Sequence, residues 1–95
     1  MLDETKKNLY KEIQQAYYNA INAEAKYRSS LVAEKTAEQN FTLVTRKYEN
    51  AKANATEFAE AKTKHTNAAI NRLQAEYEYI FRMKIIKFYQ GSDIS

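Results

Sequence analysis

The chain has 95 residues, a net charge of +3 and no cysteine, and its charged residues of both signs are interleaved. The missing cysteines exclude disulfides and thiolate metal sites. Interleaved charge is typical of a solvated helix surface and disfavours a nucleic-acid-binding protein, whose basic residues cluster. Large aliphatic residues are too sparse for a deep core, so we expect the chain to need partners that cover its faces.

The first predicted element is one long helix over residues 3–50, because this stretch contains no glycine or proline. Asp3 is the expected N-cap. Read in steps of four and three residues, a stripe of twelve positions runs along the helix, and ten of them are apolar. Its members are Leu9, Ile13, Ala16, Ala20, Ala23, Tyr27, Ser30, Glu34, Ala37, Phe41, Val44 and Tyr48. So many small residues predict a seam at which a neighbouring helix approaches closely.

The second predicted element is a helix over residues 55–90, with a frayed tail at 91–95. Asn54 and Glu57 have the spacing of a capping box, with Asn54 as N-cap and Glu57 reaching back. Gly91 is the expected residue just beyond the helix end. The predicted apolar stripe of this helix is Ala59, Thr63, Thr66, Ile70, Leu73, Tyr77 and Ile80.

The segment between the helices, residues 50–54, is short enough to favour antiparallel neighbours. Asn50 is the residue best able to adopt a left-handed conformation there without glycine. An alternative is a straightened or chain-swapped connection, because Ala51, Lys52 and Ala53 are good helix formers. We predict an all-α, long antiparallel two-helix coiled-coil hairpin.

Three segments, taken in order, resemble the TolC-like outer-membrane efflux factor family. They are residues 9–20 (LYKEIQQAYYNA), 48–61 (YENAKANATEFAEA) and 74–82 (QAEYEYIFR). The family has an aromatic residue before its turn, a glycine in the turn, a threonine-type cap and acidic residues at the start of the next helix. Here Ala51 stands at the glycine position and Asn54 at the cap. A left-handed alanine costs about 1–2 kcal/mol, so the conformation of the turn depends on Ala51.

The resemblance implies that the chain is part of a periplasmic α-helical barrel in a Gram-negative bacterium. Such proteins form homo-trimers with a β-barrel in the outer membrane. This segment would be attached to the membrane only through that β-barrel. They export small molecules with a periplasmic adaptor and an inner-membrane pump. By resemblance, Glu57 and Glu60 would ring the tunnel entrance. The adaptor-docking tip would comprise Tyr48, Asn50, Ala51, Lys52, Ala53 and Asn54.

Simpler interpretations exist for each of these residues. A capping box by itself explains Glu57, and seam packing explains Tyr48. His65 has no carboxylate partner three or four residues away, so we expect no metal site. No nucleophile motif is present, and we expect neither catalysis nor a cofactor. The alternative function is a free-standing coiled-coil interaction module. In either case we expect the isolated chain to self-associate, most simply as an antiparallel four-helix arrangement.

Overall fold

The chain folds into two long helices that pack side by side in opposite directions. A computed structural model describes the backbone of residues 2–94 and the side chains of residues 4–91. Helix α1 spans Leu2–Glu49 and helix α2 spans Ala55–Ile94. The molecule measures 72 × 21 × 13 Å, and its length matches that of a 48-residue helix at a rise of about 1.5 Å per residue. The predicted antiparallel hairpin is confirmed.

The helix ends differ from the prediction at both termini of the chain. Helix α1 begins at Leu2, one residue before the expected N-cap, and the Asp3 side chain lies outside the described residues. Helix α2 does not end before Gly91 but continues to Ile94. Gly91 has no positive φ angle, so it is an interior helical residue and not a C-terminal cap. A single glycine costs a helix only about 1 kcal/mol, and no proline follows to stop the helix.

The predicted stripe of α1 is the surface that contacts α2. Ala16, Ala20 and Ala23 are buried, with Ala23 only 2% exposed. The residues from Ile13 to Val44 of the stripe are all buried or half-buried, while Leu9 and Tyr48 at its ends are exposed. These small side chains lie in the half of the seam away from the turn, where they let a neighbouring helix approach closely.

The predicted stripe of α2 is wrong by alternately one and two residues. All seven of its residues are exposed, and the residues that face α1 form a different series with the same alternating spacing. That series is Phe58, Ala61, His65, Ala68, Arg72, Ala75, Tyr79, Arg82, Ile86 and Tyr89. One residue corresponds to a rotation of about 100° around a helix, so the shift turns the predicted stripe away from α1. The expected stripe is therefore an unpaired apolar surface.

Contacts along the seam establish one register for the whole hairpin. Tyr27 stacks on Tyr79 with ring centroids 5.7 Å apart, and Glu34 accepts a 2.9 Å hydrogen bond from Arg72. Nearer the turn, Tyr48 stacks on Phe58 at 4.8 Å. From one pair to the next, each step forward in α1 is matched by an equal step back in α2. This register determines which residues lie level with each other on the two helices.

Candidate functional site

The turn ends α1 with a left-handed residue, and that residue is Ala51. Its φ angle is 57°, so the left-handed conformation lies at Ala51 and not at Asn50, which has the better intrinsic tendency for it. The Ala51 amide donates to the Tyr48 carbonyl at 3.1 Å, and the Lys52 amide donates to the Lys47 carbonyl at 2.7 Å. These two bonds form a Schellman motif, in which the left-handed position is usually glycine. Satisfying two terminal carbonyls compensates for the strain at Ala51.

Asn54 caps the start of α2, as predicted. Its side-chain oxygen accepts a 2.8 Å hydrogen bond from the Glu57 amide, and its carbonyl accepts a 3.2 Å bond from the Phe58 amide. The reciprocal bond of a capping box, from the Asn54 amide to the Glu57 carboxylate, does not form in the described part of the chain. The Glu57 carboxylate is therefore free of the capping role that its position suggested.

The tip that we expect to dock an adaptor, Tyr48 with residues 50–54, is an exposed cap at the end of the hairpin. Tyr48 is 43% exposed, and the exposed backbone of the turn carries Asn50, Ala51, Lys52 and Asn54, whereas Ala53 is half-buried. Beneath this cap, four aromatic rings connect the two helices. Phe58 stacks on Tyr48 and contacts Phe41 at 5.5 Å, and Phe41 stacks on His65 at 5.6 Å.

The sequence pattern did not predict that Phe58 and His65 belong to this cluster. The signal that could have found them is the alternating spacing of three and four residues that starts at Phe58. Because this cluster joins the last turns of α1 to the first turns of α2, it fixes the position of the exposed cap. His65 thus has a packing role in the described structure.

A charged bridge crosses the seam at its midpoint. Besides Glu34, Arg72 binds the Glu76 carboxylate at 2.6 Å. The hydrogen bond to Glu34, together with the charges of both glutamates, raises the pKa of Arg72 above its ordinary value. Glu34 was one of the two polar exceptions in the predicted α1 stripe, and Arg72 is its partner. The other exception, Ser30, donates a 2.6 Å hydrogen bond to the Tyr27 carbonyl.

The two broad faces of the hairpin differ in polarity. We call the residues of either helix that face the other helix seam residues. Because α1 and α2 run in opposite directions, the residues that immediately precede seam residues in the sequence lie on the same face of the hairpin in both helices. Side chains of both helices therefore line one shallow groove, which Asn19, Asn22 and Lys26 flank on one side and Glu78 on the other. We call this side the polar face. Its polar members include Gln15, Asn19, Asn22, Lys26, Glu57, Glu60, Asn67, Asn71, Gln74 and Glu78. The exposed apolar residues Leu43, Phe81 and Phe88 also precede seam residues and lie on this side.

Glu57 and Glu60 lie on this polar face in the first two turns of α2. Both are exposed, and neither forms an ion pair with another described residue. The hairpin therefore presents two unpaired carboxylates on one face, immediately behind the turn. At a helix N-terminus such charges are also favoured by the helix dipole.

The opposite face is partly apolar. The position after each seam residue lies there in both helices, and Tyr17 of α1 and Gln90 of α2 accordingly line the same surface groove. We define the apolar face by its large exposed side chains. They are Tyr10, Tyr17, Ile21 and Leu31 on α1, and Leu73 and Ile80 on α2.

The two outer edges of the hairpin also carry large exposed apolar residues, beside polar ones such as Arg46 and Lys84. Tyr18 and Val32 lie midway between seam positions of α1, so they point away from α2. Ile70 and Tyr77 point outward from α2 in the same way. Exposure of these four residues ranges from 48% for Ile70 to 68% for Val32. Exposed apolar groups thus occur on all four sides of the hairpin, and the polar face differs from the others by its many amide and carboxylate side chains.

The described residues include no cluster of three or more histidine or acidic residues that could hold a metal ion. Across the same residues, neither helix has a stretch that is apolar enough to span a bilayer. The comparisons with known proteins found no matching family model, no similar curated protein and no similar solved structure.

Proposed function

We propose that this hairpin is a wall element of a larger α-helical assembly, and specifically of the periplasmic tunnel of an outer-membrane efflux channel. The observation that carries the proposal is the distribution of polarity around the hairpin. Apolar edges on both helices suit a neighbour on each side, while the polar face suits contact with water. A tunnel wall needs both properties at once, since its helices pack laterally and one side lines an aqueous passage.

The sequence resemblance gives this general arrangement its specific form. In a trimeric tunnel, the tip that comprises Tyr48 and residues 50–54 would dock a periplasmic adaptor, and an inner-membrane pump would supply the small molecules for export. Threefold repetition of the polar face would place Glu57 and Glu60 in rings of negative charge at the entrance, which favours cations. The chain itself performs no catalysis and needs no cofactor in this role.

The edges provide the first test, in the full-length protein that contains this hairpin. Ile70 and Asn71 are neighbours in sequence, but Ile70 lies on an outer edge and Asn71 on the polar face. We expect Ile70→Glu to prevent trimer formation, because it places a charge between packed helices. Asn71→Glu should leave the trimers intact. Equal amounts of trimer in both variants, measured by chemical crosslinking or native electrophoresis, would contradict lateral packing.

The entrance provides the second test. Glu60→Gln should reduce cation selectivity and weaken block by divalent cations in the reconstituted channel, since it removes one ring of charge. Glu49→Gln is the matched control, because Glu49 lies at the same end of the hairpin but follows seam residue Tyr48 and so lies on the opposite face. Planar-bilayer recordings that respond equally to both substitutions, or to neither, would remove the entrance role of Glu60.

A free-standing coiled-coil module is the second candidate function. Its support is that the hairpin is continuous and its seam is complete without other elements. It needs no lateral neighbours, so it predicts that Ile70→Glu and Asn71→Glu have equally small effects on assembly. The first test therefore distinguishes the two functions.

A further inference from the structure

The apolar face has a size that matches a stable protein interface. Its six large side chains are between 41% and 64% exposed. Half-exposed side chains of this size offer on the order of 100 Å² each, or roughly 600 Å² for the face. Standard stable interfaces bury about 800 Å² per partner. The stems of flanking lysines such as Lys35 can supply the remainder. The polar face carries three such side chains, Leu43, Phe81 and Phe88, which is half as many.

The residues of α1 on this face are arranged symmetrically around one point. That point lies between Glu24 and Arg28, which form an ion pair of 2.5 Å within α1. Ile21 and Leu31 are equally far from it on either side, and so are Tyr17 and Lys35. An antiparallel copy of α1 that crosses there would pair Ile21 with Leu31 and Glu24 with Arg28. The same crossing would lay the Lys35 stem on the ring of Tyr17.

The register of the hairpin extends this symmetry to α2. Since Tyr27 lies level with Tyr79, the symmetry point in α1 lies level with Ile80. Ile80 is an exposed residue of the apolar face, so it would meet its own equivalent in the second copy. The point is also close to the middle of the 48-residue α1. An antiparallel copy centred there would overlap the hairpin along nearly its whole length.

We propose that the apolar face is a homodimer interface, in which a second copy docks with α1 antiparallel to α1 around a two-fold axis at Ile80. Around the axis, Ile21 meets Leu31, Glu24 meets Arg28 and Ile80 meets its own equivalent, as an isologous interface requires. Farther out, Leu73 of α2 would lie against the stem of Lys87. Burial of the apolar side chains supplies the affinity, and the Glu24 and Arg28 pairs select the register. The proposal concerns the chain by itself and does not depend on a role in efflux.

The decisive experiment exchanges the charges between two variants. Glu24→Arg and Arg28→Glu each place like charges opposite one another in a homodimer, so each alone should raise the dimer dissociation constant by at least about tenfold. In a mixture of the two variants, both intermolecular pairs become attractive again, although the pair within each helix remains repulsive. We therefore expect the mixture to form heterodimers with nearly wild-type affinity in sedimentation equilibrium. A mixture that dimerises no better than the separate variants overturns the proposal.

Single cysteines test the same interface without altering charge, because the natural chain has none. Ile80→Cys should give a disulfide-linked dimer rapidly on mild oxidation, since the two sulfurs meet at the axis. Gln74→Cys is the matched control on the exposed polar face and should remain monomeric under denaturing electrophoresis. Either of two results overturns the assignment. One is crosslinking of Gln74→Cys as fast as that of Ile80→Cys, and the other is a wild-type chain that still sediments as a monomer at about 100 μM.

Discussion

Replacing Ala51 with glycine should stabilise the hairpin, because Ala51 is held in a left-handed conformation at φ 57°. For an alanine this conformation costs about 1–2 kcal/mol, which glycine avoids. Glycine also gives the unfolded chain more freedom, which lowers stability by about 0.4–1 kcal/mol. The centres of these two ranges leave a net gain in the free energy of unfolding of about 0.5–1 kcal/mol. For a chain of this size it corresponds to a rise in Tm of about 2–8 °C.

The measurement is thermal unfolding followed by circular dichroism, at one fixed chain concentration so that association does not alter the comparison. Asn50→Gly is the matched control, because Asn50 lies in the same turn without a positive φ angle. This control should lower the Tm, since it adds freedom to the unfolded chain and relieves no strain. A lower Tm for Ala51→Gly, or a higher one for Asn50→Gly, would refute the assignment of the strain to Ala51.

Two further substitutions test the seam by the same measurement. Phe58→Ala should lower the free energy of unfolding by about 2–3 kcal/mol, because the half-buried ring stacks on Tyr48 and contacts Phe41. The control Phe81→Ala removes a ring that is 59% exposed and should lower it by less than about 1 kcal/mol. Equal losses would show that the aromatic cluster does not fix the tip. Ala23→Leu should cost about 1–3 kcal/mol because Ala23 is only 2% exposed in the seam, so a larger side chain there must displace its neighbours. The exposed, outward-pointing Ala25→Leu should be nearly neutral, and a neutral Ala23→Leu would contradict the close approach of the helices.

The sequence by itself determined the hairpin and the α1 seam. With no proline in the chain and its one glycine at position 91, only the stretch around residues 50–54 could interrupt the helical pattern before the end of α2. In α1 the small residues Ala16, Ala20 and Ala23 mark one side so clearly that periodicity found the buried stripe. The Asn54 cap was also predictable, because it depends on residues only three positions apart. All these features are local, and local sequence contains the information for them.

Only the tertiary structure decided which side of α2 faces α1. Helix α2 has apolar residues on its edge, its apolar face and its seam, so its periodicity alone gives no unique stripe. The choice follows from pairing with α1, in which Arg72 meets Glu34 and Tyr79 meets Tyr27. The same is true of the turn. Asn50 has the better intrinsic tendency to be left-handed, but the packed ends of the helices place that conformation at Ala51, where the two Schellman hydrogen bonds can form.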